Sequence, residues 1–108
     1  MSHNSLKMTK PQNYDDFLST THNGGPVISW PEGLKAMWHD ANGNWEASHD
    51  IAQEMHNDLG SWIHAYLHRK EGDKFNAGYW YTKAKKPFPK LGLDGEHRQI
   101  VEFIIGGA

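Results

Sequence analysis

The sequence of 108 residues contains no cysteine. Disulfide bonds, thiolate metal ligands and thiol nucleophiles are therefore excluded, and the lack of disulfides suits a reducing compartment. No apolar run approaches the roughly 20 residues that a membrane span needs, and residues 1–11 lack the apolar stretch of a signal peptide. We therefore expect a cytoplasmic protein that does not enter a membrane.

A large excess of positive or negative charge is also lacking. The chain carries 11 Lys and Arg against 13 Asp and Glu, which gives a net charge of −2. No overall field attracts an anionic polymer, so nucleic acid is not an expected partner. Histidine, by contrast, is abundant, with eight residues. Any chemistry in this chain is therefore expected to involve imidazole, which titrates near neutral pH and binds metals.

Aromatic residues compensate for a modest apolar fraction of 37%. Five Trp, four Tyr and four Phe bury large areas per side chain, so few residues can fill a core. This length supports one such core. We expect a single domain over residues 30–108, preceded by a polar arm over residues 1–29. The arm is either a loosely ordered extension or a segment docked on the body or on a second subunit of a homo-oligomer, with Tyr14, Phe17, Val27 and Ile28 as anchors.

Helical periodicity and helix-breaking residues predict an all-α bundle of about five helices. Apolar residues recur at helical spacing between breaks at Gly43, Gly60, Gly72 and Pro87. Gly72 is expected to adopt the left-handed conformation after one helix, and Asp73 to cap the next. The predicted helices run from Pro31 to about Ala41, Trp45 to Leu59, Trp62 to Lys70, Lys74 to Lys86 and Gly95 to Ile105.

The hairpin of the third and fourth predicted helices resembles a single tetratricopeptide or Sel1-like unit. The matching residues are Ala65, Gly72, Asp73, Ala77, Tyr81, Lys83, Ala84 and Pro89. Such a resemblance implies a protein-interaction module. A lone unit must be buried by other helices, because these repeats stabilise one another by stacking. The stretch from Trp62 to Tyr81 also resembles a signature of an uncharacterised bacterial protein family, which implies no particular activity.

Histidines on two neighbouring helices form the first candidate site. His64, His68 and Glu71 lie at i, i+4 and i+7, so they share one helix face, and His49 lies on the preceding helix. Imidazole and carboxylate ligands suit a divalent metal such as zinc, which can ionise a bound water for hydrolysis. The alternative is structural: His64 and His68 hydrogen-bond to the backbone or to carboxylates near the turn, and His49 and His56 lie at the surface.

Aromatic residues of the hairpin form the second candidate site. A helical groove that binds a protein or a small molecule would be lined by Trp62, Tyr66, Tyr79, Trp80 and Tyr81, with Arg69 for anion recognition. The alternative is that most of these rings fill the core and that Arg69 forms an ion pair between helices. The repeat-like hairpin favours a non-enzymatic interaction or ligand-binding module. The alternative function is a metal-binding protein or a metal-dependent hydrolase.

Overall fold

The computed structural model describes residues 10–21 and 24–107, and every regular element in these residues is an α-helix. This confirms the predicted all-α class, and the described residues contain six helices where about five were predicted. No helix in the described residues is long and apolar enough to cross a membrane. In chain order the helices are α1 (Tyr14–Thr20), α2 (Glu32–Ala41), α3 (Trp45–Met55), α4 (Asp58–Lys70), α5 (Lys74–Lys83) and α6 (Leu93–Ile105).

The short helix α1 packs on the body through its aromatic residues. Phe17 is fully buried, and the Tyr14 hydroxyl lies 2.7 Å from Nδ1 of His97 on α6. The Trp38 indole on α2 donates to the Thr20 carbonyl over 3.2 Å. Of the expected anchors, Tyr14, Phe17 and Val27 pack against the core, whereas Ile28 is 83% exposed. Residues 1–9 and 22–23 of the predicted arm lie outside the described residues.

The turn between α3 and α4 lies earlier than predicted. It falls at His56 and Asn57, and Gly60 lies inside the first turn of α4. His56 adopts a left-handed conformation with φ 52°, and the Asn57 side chain accepts a hydrogen bond from the Gly60 N–H over 2.7 Å. A Cβ on Gly60 would lie 2.7 Å from Cβ of Met55. Gly60 is therefore needed for the close approach of the two helices, and it does not end a helix.

The helices α4 and α5 form the predicted hairpin. Gly72 has φ 89°, and the Asp73 side chain caps α5 by accepting from the Asn76 N–H. An ion pair of 3.0 Å between Lys85 and Asp58 joins the end of the hairpin to its start, so the two helices run antiparallel. The left-handed Lys85, at φ 62°, ends α5 at Lys83 and not at Lys86. At the other junction, α6 begins two residues before the predicted Gly95.

Two buried carboxylates connect α4 to its neighbours. Asp40 of α2 accepts from the Tyr66 hydroxyl over 2.7 Å and from Lys70 Nζ over 2.8 Å. Its side chain is 2% exposed, so these donors compensate for the loss of water.

Glu96 of α6 has the corresponding role between α4 and its other neighbours. Its carboxylate is 1% exposed and accepts from the Trp62 indole over 3.1 Å and from Arg69 Nη1 over 2.8 Å. The Tyr81 hydroxyl of α5 lies 2.6 Å from Oε2 of the same group. Glu96 therefore joins α4, α5 and α6 through one buried site.

The left-handed glycine between α4 and α5 gives a stability prediction. A Cβ on Gly72 meets no atom within 4 Å, so Gly72→Ala adds backbone strain alone. We expect it to lower the free energy of unfolding by about 1 kcal/mol in a denaturant titration. Gly78 is the matched control: it lies inside α5 with open space around it, and Gly78→Ala should be neutral or stabilising. Equal effects of the two substitutions would contradict this interpretation of the turn.

Candidate metal centre

Three histidines from α3 and α4 converge on one point. Nε2 of His49 lies 2.9 Å from Nε2 of His64, and one ring nitrogen from each of His49, His64 and His68 can be chosen so that all three lie within 4.8 Å of one another. His64 is buried, whereas His49 and His68 are half-buried. His64 and His68 are one helical turn apart on α4, and antiparallel packing of α3 places His49 opposite them. The predicted histidines of both helices therefore meet.

Two tryptophans fix the planes of the imidazole rings. Trp45 stacks on His49, with ring centroids 4.7 Å apart and planes 12° apart, and Trp80 stacks on His64 at 3.9 Å and 14°. The Trp45 indole also donates to the Leu67 carbonyl of α4 over 2.9 Å. These contacts limit ring rotation, so the cluster is preorganised by its surroundings.

Glu71 lies behind His68 and does not join the three imidazoles. Its Oε2 is 2.8 Å from Nδ1 of His68. Donation of the Nδ1 proton to this carboxylate leaves Nε2 of His68 as the nitrogen with a free lone pair, which is the tautomer that a metal ligand requires. Of the two third ligands considered from the sequence, Glu71 or a residue of the preceding helix, the preceding helix supplies His49, and Glu71 takes the position of an outer-shell partner of His68.

His49 and His64 resist protonation. Burial, with the proximity of His49 and His68, lowers the pKa of His64 to about 4. Burial and the neighbouring His68 also lower the pKa of His49. At neutral pH His64 is therefore uncharged, so it offers a lone pair to a cation without first losing a proton.

The spacing of the His49 and His64 nitrogens is close to that of two ligands on one metal ion. Tetrahedral zinc bound to nitrogen at about 2.0 Å places two ligand nitrogens about 3.3 Å apart. The Nε2 atoms of His49 and His64 are 2.9 Å apart, so the rings need to separate by only a few tenths of an ångström. Three imidazoles leave a fourth coordination position for water or for an exogenous ligand.

A cleft of about 510 Å³ opens beside the cluster, between α3, α4 and α5. His64 and Trp80 form part of its wall, and Ser61 and Lys83 add polar groups. His56 also lines this cleft, but it is exposed and does not belong to the group of three histidines. His64 is thus shared by the cluster and by a solvent-filled space large enough for a small molecule.

Most of the aromatic residues predicted to line a groove lie in the core. Trp62, Tyr66 and Tyr81 are at most 6% exposed, and only edges of Trp62 and Tyr81 reach a small cavity of about 240 Å³ beside Lys86 and Pro87. The ring of Trp80 is partly covered by His64, and Tyr79 is 55% exposed on the outer face of α5. The large apolar areas of these rings explain the difference, because a small domain needs them for its core.

Arg69 forms an interhelical ion pair with Glu96 and is not free for anion recognition. The two groups are 2.8 Å apart, and the Arg69 side chain is 17% exposed. This confirms the ion-pair alternative for Arg69, with a partner on α6.

Comparisons with protein-family models, curated proteins and solved structures gave no match. The resemblance of the hairpin to a tetratricopeptide unit, and of its sequence to a bacterial family, therefore stays a prediction. The function of the cluster has to be inferred from its own geometry.

Trp45 is a member of the site that the sequence analysis does not name. It packs against the core, and its ring covers His49. The available signal was spacing, since Trp45 and His49 lie at i and i+4 and share a helix face.

The low pKa of His64 predicts a loss of stability in acid. Unfolded His64 has a pKa near 6.5, so as the pH falls from about 6.5 to about 4 the unfolded state takes up a proton that the folded state does not. This linkage should lower the free energy of unfolding by about 2 kcal/mol over that interval. Chemical denaturation at pH 7 and pH 4.5 measures it. In His64→Gln the difference between the two pH values should shrink, and an unchanged difference would contradict the assignment.

Proposed function

We propose that this chain is a metal-binding protein in which His49, His64 and His68 hold one divalent transition-metal ion, with zinc as the first candidate. The observation that carries the proposal is the convergence of three ring nitrogens within 4.8 Å. Neutral imidazole is a preferred ligand of zinc, copper and nickel, whereas magnesium and calcium prefer oxygen.

The surroundings of the cluster favour metal binding over a purely structural role. The Nε2 atoms of His49 and His64 lie 2.9 Å apart and share one proton, so each ring directs a nitrogen at the same point. Glu71 orients His68 from behind. A cation between the rings would take the place of the shared proton and would use this orientation.

An interaction module, the function favoured by the sequence, receives less support. Its groove was expected to be lined by Trp62, Tyr66 and Tyr81, which are buried and donate to Asp40 or Glu96. Of the five aromatic residues expected to line the groove, Tyr79 is exposed and Trp80 is half-buried.

Metal-dependent hydrolysis is the second candidate function. The specific observation in its favour is the cleft of about 510 Å³ that His64 borders. A zinc ion held by three histidines keeps one position for water and lowers the pKa of that water to about 7. A substrate in the cleft would then lie next to the nucleophile.

Zinc binding is tested on protein purified without an affinity tag. After incubation with zinc and gel filtration, elemental analysis should give one zinc ion per chain. Binding to the folded state alone raises the free energy of unfolding by about 2.7 kcal/mol at a free zinc concentration 100 times the dissociation constant. The melting temperature should therefore rise, and a chelator should reverse the rise. Cobalt in place of zinc should give the visible absorption of a tetrahedral site.

Single substitutions locate the ion. His49→Gln, His64→Gln and His68→Gln should each abolish stoichiometric zinc and the thermal shift. His39→Gln is the matched control, because His39 lies on α2 outside the cluster and should leave both signals intact. Wild-type protein without bound zinc, or equal binding by the three variants and the control, would overturn the proposal.

The contact between Glu71 and His68 predicts a graded effect on affinity. Glu71→Gln removes the negative charge behind His68 while keeping the shape of the side chain. We expect zinc affinity to fall by about 10- to 100-fold, as for other outer-shell partners, with the stoichiometry still one ion per chain. Competition titration against a chromogenic chelator measures the constant. Complete loss of zinc would indicate that Glu71 is itself a ligand, and an unchanged constant would show that it has no part in the site.

A further inference from the structure

Charges of opposite sign are segregated along this chain. Residues 36–68 contain five acidic residues and no Lys or Arg, whereas residues 74–90 contain five lysines and no acidic residue. The near-neutral total therefore conceals an acidic region and a basic region. Apolar side chains lie next to the charges in each region, half-buried in the acidic region and exposed in the basic region.

The acidic region contains a groove where the start of α2 meets the end of α3 and the start of α4. This acidic groove has a volume of about 640 Å³. Its apolar side chains are those of Ile51, Met55 and Leu59, all half-buried. Its carboxylates are those of Glu32, Asp50 and Glu54.

Two of these carboxylates are available to a partner. Glu32 pairs with Lys35 at 2.9 Å. Asp50 and Glu54 are exposed, lie one helical turn apart on α3 and form no ion pair with a Lys or Arg in residues 10–21 and 24–107.

The basic region contains an aromatic stripe on α5. Phe75, Tyr79 and Lys83 follow one another at intervals of four residues on the face opposite the buried Ala77 and Tyr81. Phe75 is 87% exposed and Tyr79 is 55% exposed. We call the surface formed by Lys74, Phe75, Tyr79 and Lys83 the basic aromatic face.

The lysines of this face have no ion-pair partner within the part of the chain that the structure describes. Lys83 instead lies over the rings of Tyr79 and Trp80, at 5.9 and 5.4 Å from their centroids. Two adjacent exposed aromatic rings beside unpaired lysines are typical of a surface that is covered in an assembly.

We propose that the basic aromatic face of one copy of this chain docks in the acidic groove of a second copy. Phe75 and Tyr79, one helical turn apart, would contact the apolar side chains of the groove. Lys74 and Lys83 would face Asp50 and Glu54. This is the helix-in-groove mode of recognition, in which apolar anchors supply affinity and the flanking charges supply register.

The two surfaces consist of different residues, so the contact is head-to-tail. Each copy can offer its face to one neighbour and its groove to another, and the assembly grows as a ring or an open chain with concentration. We identify the partner as a second copy because the groove is lined by carboxylates and α5 of the same chain carries lysines, which have the complementary charge. This proposal does not depend on metal binding by His49, His64 and His68.

Sedimentation velocity on the full chain tests the proposal, in the presence of a chelator so that no metal bridges two copies. The weight-average mass should rise above the 12.3 kDa of one chain as the concentration increases. The rise should be smaller at high salt, because the paired charges are screened. Phe75→Ser should weaken association at least tenfold without changing the helical circular dichroism signal, since its ring is exposed.

Two charge-reversal variants test the proposed contact most directly. One variant carries Asp50→Lys and Glu54→Lys, and the other carries Lys74→Glu and Lys83→Glu. Alone, each variant brings like charges together and should associate at least tenfold more weakly than the wild type. Mixed in equal amounts, each variant again meets opposite charge in the other, so association should return.

The matched control carries Glu46→Lys and Asp15→Lys, which change the net charge as the reversed groove does but lie outside both surfaces. It should associate like the wild type. A wild-type protein that stays monomeric at all concentrations overturns the proposal and leaves the two surfaces to other partners. Association that is unaffected by both reversals, or mixed variants that remain monomeric, overturns it as well.

Discussion

The close contact between α3 and α4 at Gly60 sets the register on which the candidate metal centre depends. A side chain at this position would collide with Met55 and with the Ala52 carbonyl, so the two helices approach there only because glycine has no Cβ. The approach fixes how far each helix extends from the turn. In this register His49 lies beside His64 and His68. Trp45 of α3 then stacks on His49, and Trp80 of α5 stacks on His64. A shift of one residue between the helices would rotate His49 by about 100° away from the cluster.

Two buried carboxylates add a second constraint on the position of α4. Asp40 of α2 and Glu96 of α6 both accept hydrogen bonds from side chains of α4, so this helix is held by directional contacts as well as by apolar packing. A buried charge with only part of its donors would be costly, and each carboxylate therefore favours one arrangement of the helices around it. The metal centre benefits because two of its histidines, His64 and His68, are carried by this helix.

The sequence was sufficient to predict what depends on local patterns and insufficient for what depends on contacts between helices. The helical class, the Gly72 turn and the Asp73 cap follow from residue preferences that act over a few positions. The site histidines were found because i, i+4 spacing on a helix is visible in the sequence. The turn at His56 and Asn57 was misplaced because Gly60 looks like a helix breaker, and its actual role in close packing becomes visible only when Met55 lies against it. Glu71 was taken for a ligand because a helix face does not specify which ring nitrogen a carboxylate meets. The aromatic residues were assigned to a groove because the partners of Trp62 and Tyr81 on α6 are distant in the sequence.

The short contact between His49 and His64 also determines what the cluster exchanges with solvent. Two Nε2 atoms at hydrogen-bond distance share a single proton, which one ring donates and the other accepts. An ion bound to both nitrogens displaces that proton to the Nδ1 atom of the donor ring, because a neutral imidazole that gave it to the buffer would become an anion. Metal binding to this pair at neutral pH is therefore a change of tautomer in one ring and not an exchange of a hydrogen ion for a metal ion. Only in acid, where the rings become charged, do hydrogen ions compete with metal for the same lone pairs.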